Sequence, residues 1–196
     1  MLVFGDGGHS KMIQDMLEMD DVCVEEQVYH HLDQCKLNHL EDTYQQYVIG
    51  IGDNLVREMA AEKIAALRPN LTPGVVVSAR AIVSKTACIG PGSVVCDGAI
   101  IRNGVRIGDH CIVNSGSVID HDCTVEDFCS IGPGAVLCGG VHLLNGVLVG
   151  AGACVKEGLA IEKGSLLGMG SVVLQNVPAG EVWAGVPARF LKSKSK

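Results

Sequence analysis

The sequence predicts a small parallel α/β domain over residues 1–70, followed by a coil of six-residue repeats over residues 71–196. Three observations predict this architecture. Every sixth residue from Leu71 to Val173 is leucine, isoleucine or valine, and glycine often follows three residues later. No six-residue period occurs before Leu71. The core must be aliphatic, because 47% of the 196 residues are hydrophobic and only 4% are aromatic.

The six-residue period indicates a short strand followed by a corner, since a helix repeats every 3.6 residues and an alternating strand every two. The aliphatic residue fills the interior, a small residue fits the corner, and glycine supplies a positive φ where the chain turns. Three repeats form one coil of a triangular prism, and successive coils share one core. One predicted interior stack is Val77, Val95, Val113, Ile131, Val149 and Leu167.

Residues 1–70 are predicted to form a parallel α/β domain, because strand and helix patterns alternate there. Strands are predicted at residues 1–4, 22–24 and 47–51. Ser10 is predicted to cap the first helix. The predicted buried face of the second helix consists of Val56, Met59, Ala60, Ile64 and Leu67.

Two glycine turns of this domain each follow a strand and precede a helix. Ligands bind at such an edge of the sheet, because helix N-termini present free N–H groups to anions. Gly5 and Gly7 match only part of the dinucleotide fingerprint, whose third glycine is replaced by Ser10. Glu25 lies twenty residues after Gly5, which leaves nicotinamide-type binding open. A nucleotide-sugar is favoured, because about 70 residues make only half of a dinucleotide-binding unit.

The charge balance and the cysteines exclude several classes of protein. A net charge of −7 argues against nucleic acid as a partner, since nucleic-acid binding requires a basic stripe. No apolar run approaches the roughly 18 residues of a membrane span, so no membrane insertion is expected. The start of the chain lacks the apolar region of a signal peptide. Nine cysteines without a C-x-x-C spacing predict buried, reduced thiols in a cytoplasmic protein.

The six-residue period resembles that of the hexapeptide-repeat acyltransferases, and residues 183–189 resemble their closing segment. This resemblance implies a left-handed parallel β-helix. Together with the Gly5-Asp-Gly-Gly-His-Ser-Lys and Ile51-Gly-Asp-Asn turns, it extends to the NeuD/PglD group of bacterial sugar acetyltransferases. The group implies a small Rossmann-like N-terminal domain, acetyl-CoA as co-substrate without a metal, and a homotrimer with acetyl-CoA between neighbouring chains. The implied reaction is N-acetylation of a nucleotide-linked amino-deoxy sugar for surface glycan synthesis.

His121 is the candidate general base, since acetyl transfer requires a proton acceptor. It follows the interior residue Ile119 by two positions, which predicts a place at a prism edge. The positions one coil before and after His121 are Asn103 and Gly139, and the small size of glycine predicts open space beside the histidine. Asp122 falls in a column of corner glycines and is either a turn residue or the carboxylate that orients the imidazole. The family motif, a histidine followed by an acidic residue, implies the second role.

The resemblance also implies the binding residues. The residues implied for the sugar nucleotide are Gly7, Gly8, His9, Gly52 and Asp53. Those implied for acetyl-CoA are Ser130, Ala151 and Met169, with residues 185–189 near its phosphates. Ser130 replaces a second family histidine and would donate a weaker hydrogen bond. An alternative interpretation of His9 is a purely structural helix start.

Other residues have competing interpretations. Glu25 and Glu26 are the candidates for the paired aspartates with which the family holds the nucleotide. His110 and Phe128 replace corner glycines and either shape the acceptor pocket or simply occupy corners, the second being favoured. His142 is interpreted as a surface residue.

Three alternative functions remain. The acceptor could be a hydroxyl of sialic acid, because the motif does not encode the nucleophile. A zinc hydratase resembling γ-class carbonic anhydrase needs three converging histidines, and His110, His121 and His142 lack its close pair. A non-catalytic sugar-nucleotide scaffold would bind without turnover. Cys123 and Cys129 occupy corner positions that favour packing over nucleophilic attack, which predicts direct acetyl transfer.

Overall fold

The structure is a computed structural model that describes residues 1–19 and 44–194. The strand predicted at residues 22–24 and the candidates Glu25 and Glu26 lie outside the described residues.

A small parallel sheet and, among the described residues, two helices make up the N-terminal part of the chain. The strand order is β1 (Leu2–Phe4), β2 (Gln46–Ile49) and β3 (Thr72–Pro73). The helices are α1 (Gly8–Met19) after β1 and α2 (Asn54–Leu67) after β2. This arrangement confirms the predicted Rossmann-like domain. Within the described ranges, no helix is long and apolar enough to cross a bilayer.

Ser10 does not cap α1, so that prediction is wrong. The helix begins two residues earlier, at Gly8, and the Ser10 hydroxyl donates a hydrogen bond to the Gly7 carbonyl oxygen at 2.7 Å. The serine lies where α1 crosses the end of β2, and a Cβ on Gly50 would fall 2.5 Å from the Ser10 Cα. Small residues are therefore needed here for close packing of helix against strand, which is the role of the third glycine in a dinucleotide fingerprint.

α2 buries only part of the predicted face: Ala60 and Ile64 are buried as predicted, whereas the two predicted residues of its first turns are not. Val56 and Met59 are 49% and 60% exposed. The buried residues, spaced at i, i+3, i+4 and i+7, are Arg57, Ala60, Ala61 and Ile64. The pattern of apolar residues alone missed this face because a buried cation is costly and is not expected in a core.

The rest of the chain forms a parallel β-helix with three faces. The first face contains β4 (Val76–Val77), β7 (Val94–Val95), β10 (Ile112–Val113), β13 (Ser130–Ile131), β16 (Leu148–Val149), β19 (Leu166–Leu167), β21 (Glu181–Gly185) and β22 (Ala188–Ser193). The second contains β5 (Ile82–Val83), β8 (Ile100–Ile101), β11 (Val118–Ile119), β14 (Val136–Leu137), β17 (Cys154–Val155) and β20 (Val172–Val173). The third contains β6 (Cys88–Ile89), β9 (Arg106–Ile107), β12 (Thr124–Val125), β15 (His142–Leu143) and β18 (Ala160–Ile161).

The corners between these faces stack into three edges. Edge 1 joins the first face to the second and includes positions 133, 151 and 169. Edge 2 joins the second face to the third and includes positions 103, 121 and 139. Edge 3 joins the third face to the first and includes positions 109, 127, 145 and 163. Every functional residue predicted on the β-helix lies on an edge or next to one.

The interior of the β-helix is the predicted aliphatic series. Its fully or almost fully buried members are Val95, Ile101, Ile107, Val113, Ile119, Val125, Ile131, Leu137, Leu143, Val149, Val155, Ile161, Leu167 and Val173. The first four members of the predicted series depart from this pattern, and of these Val83 and Ile89 are only partly buried. Leu71 packs in the N-terminal domain instead. Val77 is 39% exposed because it belongs to the first coil, whose end is not covered by another coil.

The last coil is closed by an antiparallel hairpin of β21 and β22. Trp183 and Ala188 of this hairpin are buried against the interior of the β-helix. The segment predicted to close the coil therefore covers its C-terminal end.

His110 and Phe128 form part of the contact between the two domains. Their rings stack with centroids 5.2 Å apart, and His110 also stacks on Tyr47 of β2 at 6.1 Å. Both adopt the positive φ of a corner glycine, at 53° and 56°. The favoured interpretation, that they simply occupy corners, is therefore wrong, because these side chains attach the N-terminal domain to edge 3.

Candidate functional site

His121 lies on edge 2, as its spacing from Ile119 predicts. Its side chain is 55% exposed, and its backbone N–H donates to a carboxylate oxygen of Asp120 at 2.8 Å. The imidazole Nδ1 lies 2.9 Å from Oδ2 of Asp122. A carboxylate can only accept, so Nδ1 carries the proton and the Nε2 lone pair is left for a substrate proton.

Asp122 combines both roles that the sequence suggested. Its φ of 58° is that of the corner glycines, and it stacks above Gly104 of the preceding coil. In this conformation the carboxylate turns back to the imidazole of the preceding residue. The hydrogen bond to Asp122, and secondly the charge of Asp120, raise the pKa of His121 above its ordinary value.

The space predicted beside His121 at Gly139 is occupied by the histidine ring itself. A Cβ on Gly139 would fall 2.6 Å from Nε2 and 2.7 Å from Cε1 of the imidazole. Glycine at this position therefore permits the ring orientation that the hydrogen bond with Asp122 fixes.

Gly139→Ala is expected to lower kcat by roughly tenfold or more, because displacement of a reacting group by about an ångström is costly. The measurement is steady-state acetyl transfer at saturating substrate. The same substitution in a His121→Asn background is the control and should have no further effect, since the clashing ring atoms are then altered. If Gly139→Ala lowered kcat in the His121→Asn background as much as it does in wild type, this explanation would be contradicted.

Ala151 and Met169 lie on edge 1, one coil apart. Met169 is 82% exposed. Within residues 1–19 and 44–194, the backbone N–H groups of both residues make no hydrogen bond. Free donors on consecutive coils fit the amide carbonyl groups of a pantetheine chain. Within one chain, this edge is separated from His121 by the whole second face.

Ser130 is directed toward the N-terminal domain. It lies on the first face, where its hydroxyl donates to Oδ1 of Asn54 at 2.6 Å. The Ser130 Oγ also accepts a hydrogen bond from Nη2 of Arg57 at 3.2 Å. The structure therefore does not bring Ser130 and His121 together within one chain.

The two glycine turns lie together at the carboxyl ends of the parallel strands β1 and β2. Gly7, Gly8 and Gly52 have open space where a Cβ would stand, and none of the three has a positive φ. Neither backbone conformation nor packing against the described residues therefore requires glycine there. Close approach of a ligand to the backbone would require it.

His9 and Asp53 flank these glycines in different ways. The carboxylate of Asp53 accepts a hydrogen bond from the Val56 N–H at 3.0 Å and caps α2. His9 lies in the first turn of α1, and its buried Nε2 has no hydrogen-bond partner among the described residues. Burial, with a smaller contribution from the charge of Arg57, lowers the pKa of His9. The imidazole is therefore neutral and carries an unsatisfied nitrogen.

Arg57 is the main residue that sequence reasoning missed. Its side chain is fully buried. The available signal was its spacing with Ala60, Ala61 and Ile64, which places it on the inner face of α2.

A cavity of about 560 Å³ adjoins the start of α2. It is bounded by Leu55, by Leu166 of the first face and by Lys194 of the closing hairpin. It therefore opens at edge 3, beside the first turns of α2, and not at the edge that carries His121.

The remaining candidate groups are engaged elsewhere. His142 Nε2 lies 2.9 Å from a carboxylate oxygen of Glu126 on the third face. Burial raises the pKa of Cys123 to about 11 and holds the pKa of Cys129 well above its ordinary value. Their thiols donate to backbone carbonyl oxygens. In the described part of the chain, no three His, Cys, Asp or Glu side chains are grouped so that they could hold a metal ion.

Comparison with known proteins gives consistent matches. Residues 1–64 match the PglD N-terminal domain family. The acetyltransferase domain of PglB from Neisseria gonorrhoeae, solved with acetyl coenzyme A, is 30% identical with a TM-score of 0.90, over 97% of this chain and 98% of that one. A histidine-to-asparagine mutant of perosamine N-acetyltransferase from Caulobacter crescentus, solved with CoA and GDP-perosamine, is 28% identical with a TM-score of 0.89, over 98% and 96%. WeeI from Acinetobacter baumannii is 26% identical with a TM-score of 0.88, over 97% and 98%. No curated protein matches the chain.

Proposed function

The chain belongs to the NeuD/PglD-like sugar acetyltransferases of the hexapeptide-repeat superfamily, and we propose that it transfers acetyl from acetyl-CoA to the amino group of a nucleotide-linked amino-deoxy sugar. It is thus an acetyltransferase and a sugar N-acetyltransferase. The observation that carries this proposal is the exposed His121 imidazole, held by Asp122 on an edge of the β-helix.

His121 is the proposed general base. In the step, the acceptor nitrogen bonds to the acetyl carbonyl carbon and the carbon–sulfur bond breaks. Nε2 of His121 takes one proton from the amine and then delivers it to the departing thiolate, so the products are an amide and a thiol. Asp122 stabilises the imidazolium that forms between these two transfers. No residue of the chain becomes acetylated, in agreement with the burial of Cys123 and Cys129.

The nucleotide of the acceptor, not its reacting amine, is proposed to bind at the two glycine turns. The open backbone at Gly7, Gly8 and Gly52 offers N–H groups at helix N-termini, which suit the diphosphate of a nucleotide sugar. His9 directly follows Gly7 and Gly8, and its Nε2, which has no partner among the described residues, is the group proposed to hydrogen-bond a phosphate or sugar oxygen. Asp53 contributes through its cap, which fixes the start of α2.

A homotrimer is proposed because one chain does not assemble the site. The second face carries an outward row of partly or largely exposed apolar side chains: Ile82, Ile100, Val118, Val136, Cys154 and Val172. Such a continuous apolar row favours burial against other copies. Edges 1 and 2 flank this face, so packing around a threefold axis would bring edge 2 of one copy to edge 1 of its neighbour. His121 would then face acetyl-CoA held by the N–H groups of Ala151 and Met169 of the neighbouring chain.

Asp122→Asn is expected to shift the rising limb of the pH–rate profile to lower pH and to lower its plateau. His121 accepts a proton only when it is neutral, so the rate rises as the pH passes its pKa. The hydrogen bond that the imidazole donates to Asp122 is the main cause of the raised pKa of His121, and its removal lowers that pKa. The measurement is kcat between about pH 5 and pH 9. Asp120→Asn is the control: it keeps this hydrogen bond and should shift the rising limb of the profile less. If the rising limb of Asp122→Asn stayed at the wild-type pH, Asp122 would not have the proposed role of raising the pKa of His121.

The proposed function is tested by incubating the protein with acetyl-CoA and a panel of UDP-, GDP- and dTDP-linked amino sugars, with free sialic acid included. A mass increase of one acetyl group on a nucleotide-linked amino sugar, with loss of the amine, is expected. Acetylation of sialic acid alone would identify an O-acetyltransferase instead. Binding of the nucleotide sugar without any acetyl transfer would indicate a scaffold.

A further inference from the structure

Arg57 is a fully buried cation in the contact between the two domains. Within the part of the chain that the structure describes, no carboxylate lies within ion-pair distance of its guanidinium. Its hydrogen bonds go instead to neutral oxygens. Burial lowers the pKa of Arg57 to about 10, which still leaves it charged at neutral pH.

The guanidinium joins three separate segments of the chain. Nη1 donates to the carbonyl oxygens of Ile51 at 2.8 Å and Gly52 at 3.3 Å, in the turn after β2. Nε donates to the carbonyl oxygen of His110 at 2.8 Å on edge 3. Nη2 donates to Oδ1 of Asn54 at 2.8 Å and to the Phe128 carbonyl oxygen at 3.1 Å.

Asn54 extends this network along the β-helix. Its Nδ2 donates to the carbonyl oxygens of Gly146 at 3.1 Å and Val147 at 3.2 Å, one coil above Phe128. Its Oδ1 accepts from the Ser130 hydroxyl as well as from Arg57. The residue directly after the Gly52–Asp53 turn is therefore fixed to two coils of the β-helix.

Burial of an arginine without an acidic partner is costly, and an apolar residue of similar volume often does no worse for stability. Stability alone therefore does not explain the residue. A planar fork of five donors can fix several carbonyl groups in one geometry, which a lysine ammonium cannot do. The carbonyls that Arg57 fixes include that of Gly52, whose outer side is the open backbone described above.

We infer that Arg57 is a positioning residue for the acceptor substrate: it fixes the Gly52 turn to edge 3 and so sets where the nucleotide-linked sugar lies relative to the β-helix. The inference rests on the proposed function of the glycine turns. Arg57 is itself covered by the turn and the β-helix, so it acts through the backbone that it holds. The charge of Arg57 also lies near the other glycine turn, at Gly7 and Gly8, since it helps to lower the pKa of His9.

The test compares Arg57→Lys with the wild-type enzyme on two acceptors. These are the nucleotide-linked amino sugar that the panel identifies and the same amino sugar without its nucleotide. If Arg57 positions the nucleotide through the turn, kcat/KM for the nucleotide-linked acceptor should fall roughly tenfold to a hundredfold, mainly through KM. The rate with the free amino sugar and the Kd for CoA should stay within about twofold of wild type. Arg106→Lys, an exposed arginine on the third face, is the matched control and should change neither acceptor.

Asn54→Ala provides a second variant that keeps the buried arginine in case Arg57→Lys does not fold. It should lower kcat/KM for the nucleotide-linked acceptor in the same way, by a smaller factor. Equal losses on both acceptors, or no loss in a folded variant, would overturn the inference. Calorimetry with UDP, GDP and dTDP separates the two proposals. If the wild-type protein binds one of these nucleotides but transfers no acetyl group, the proposed function fails. Loss of that nucleotide binding in Arg57→Lys would still support the positioning role of Arg57.

Discussion

Replacement of His121 by asparagine is expected to lower kcat for acetyl transfer by about 10²–10⁴-fold, the range that a positioned general base contributes. The side chain is 55% exposed on an edge and lies outside the aliphatic interior, so the fold and the oligomeric state should persist. Because His121 acts on the proton in transit, KM for both substrates should change little. The measurement is steady-state kinetics with the acceptor from the panel, together with CoA binding.

His142→Asn is the matched control for this substitution. His142 is a partly exposed histidine hydrogen-bonded to a carboxylate, as His121 is, but it lies on the third face outside the edges proposed for the site. It should retain kcat within about twofold of wild type. If His121→Asn also retained the wild-type kcat, the general base would have to be another group. The arrangement of His121 and Asp122 on edge 2 would then not be catalytic.

The place of His121 could be predicted because the β-helix repeat is a local pattern. Ile119 fixes which side of the strand points inward, and two residues later the chain has reached the corner. The column of Gly104 and Gly140 predicts that Asp122 adopts a left-handed φ, and it does. Both conclusions follow from residues within one coil, or in stacked positions of the next.

The role of Arg57 could not be predicted in this way. Its partners include carbonyl oxygens of residues 53 and 71 positions away, and every residue carries such an oxygen. The sequence therefore contains no distinctive partner such as an acidic residue at a fixed spacing. His110 and Phe128 are similar, because their corner positions could be predicted but the domain that packs on edge 3 could not.

The period also does not mark where the β-helix begins. Leu71 and Val77 continue the six-residue series without a break, yet one packs in the N-terminal domain and the other is exposed at the end of the first coil. Burial depends on whether another coil covers a residue, and the sequence of one repeat does not show whether a further coil lies next to it. For the same reason, the outward apolar row on the second face is visible only once the coils are stacked.

Val136→Lys is expected to convert the proposed trimer to monomers and to lower acetyl transfer at least about a hundredfold, although His121 and Asp122 are untouched. Val136 lies in the outward row of the second face, between Val118 and Cys154. Three lysines would meet near the threefold axis, where each charge would be buried without a partner and close to two like charges. Light scattering after size-exclusion chromatography measures the mass, and the acetyl-transfer assay measures the activity.

Ala160→Lys introduces the same charge at a partly exposed, outward position on the third face and serves as the control. It should remain trimeric and active, because that face lies outside the proposed interface. An active Val136→Lys monomer would show that one chain completes the site, which contradicts the division of His121 and the edge-1 N–H groups between neighbours. An inactive monomer whose mass and activity recover together at high protein concentration would support it, because catalysis would then follow assembly by mass action.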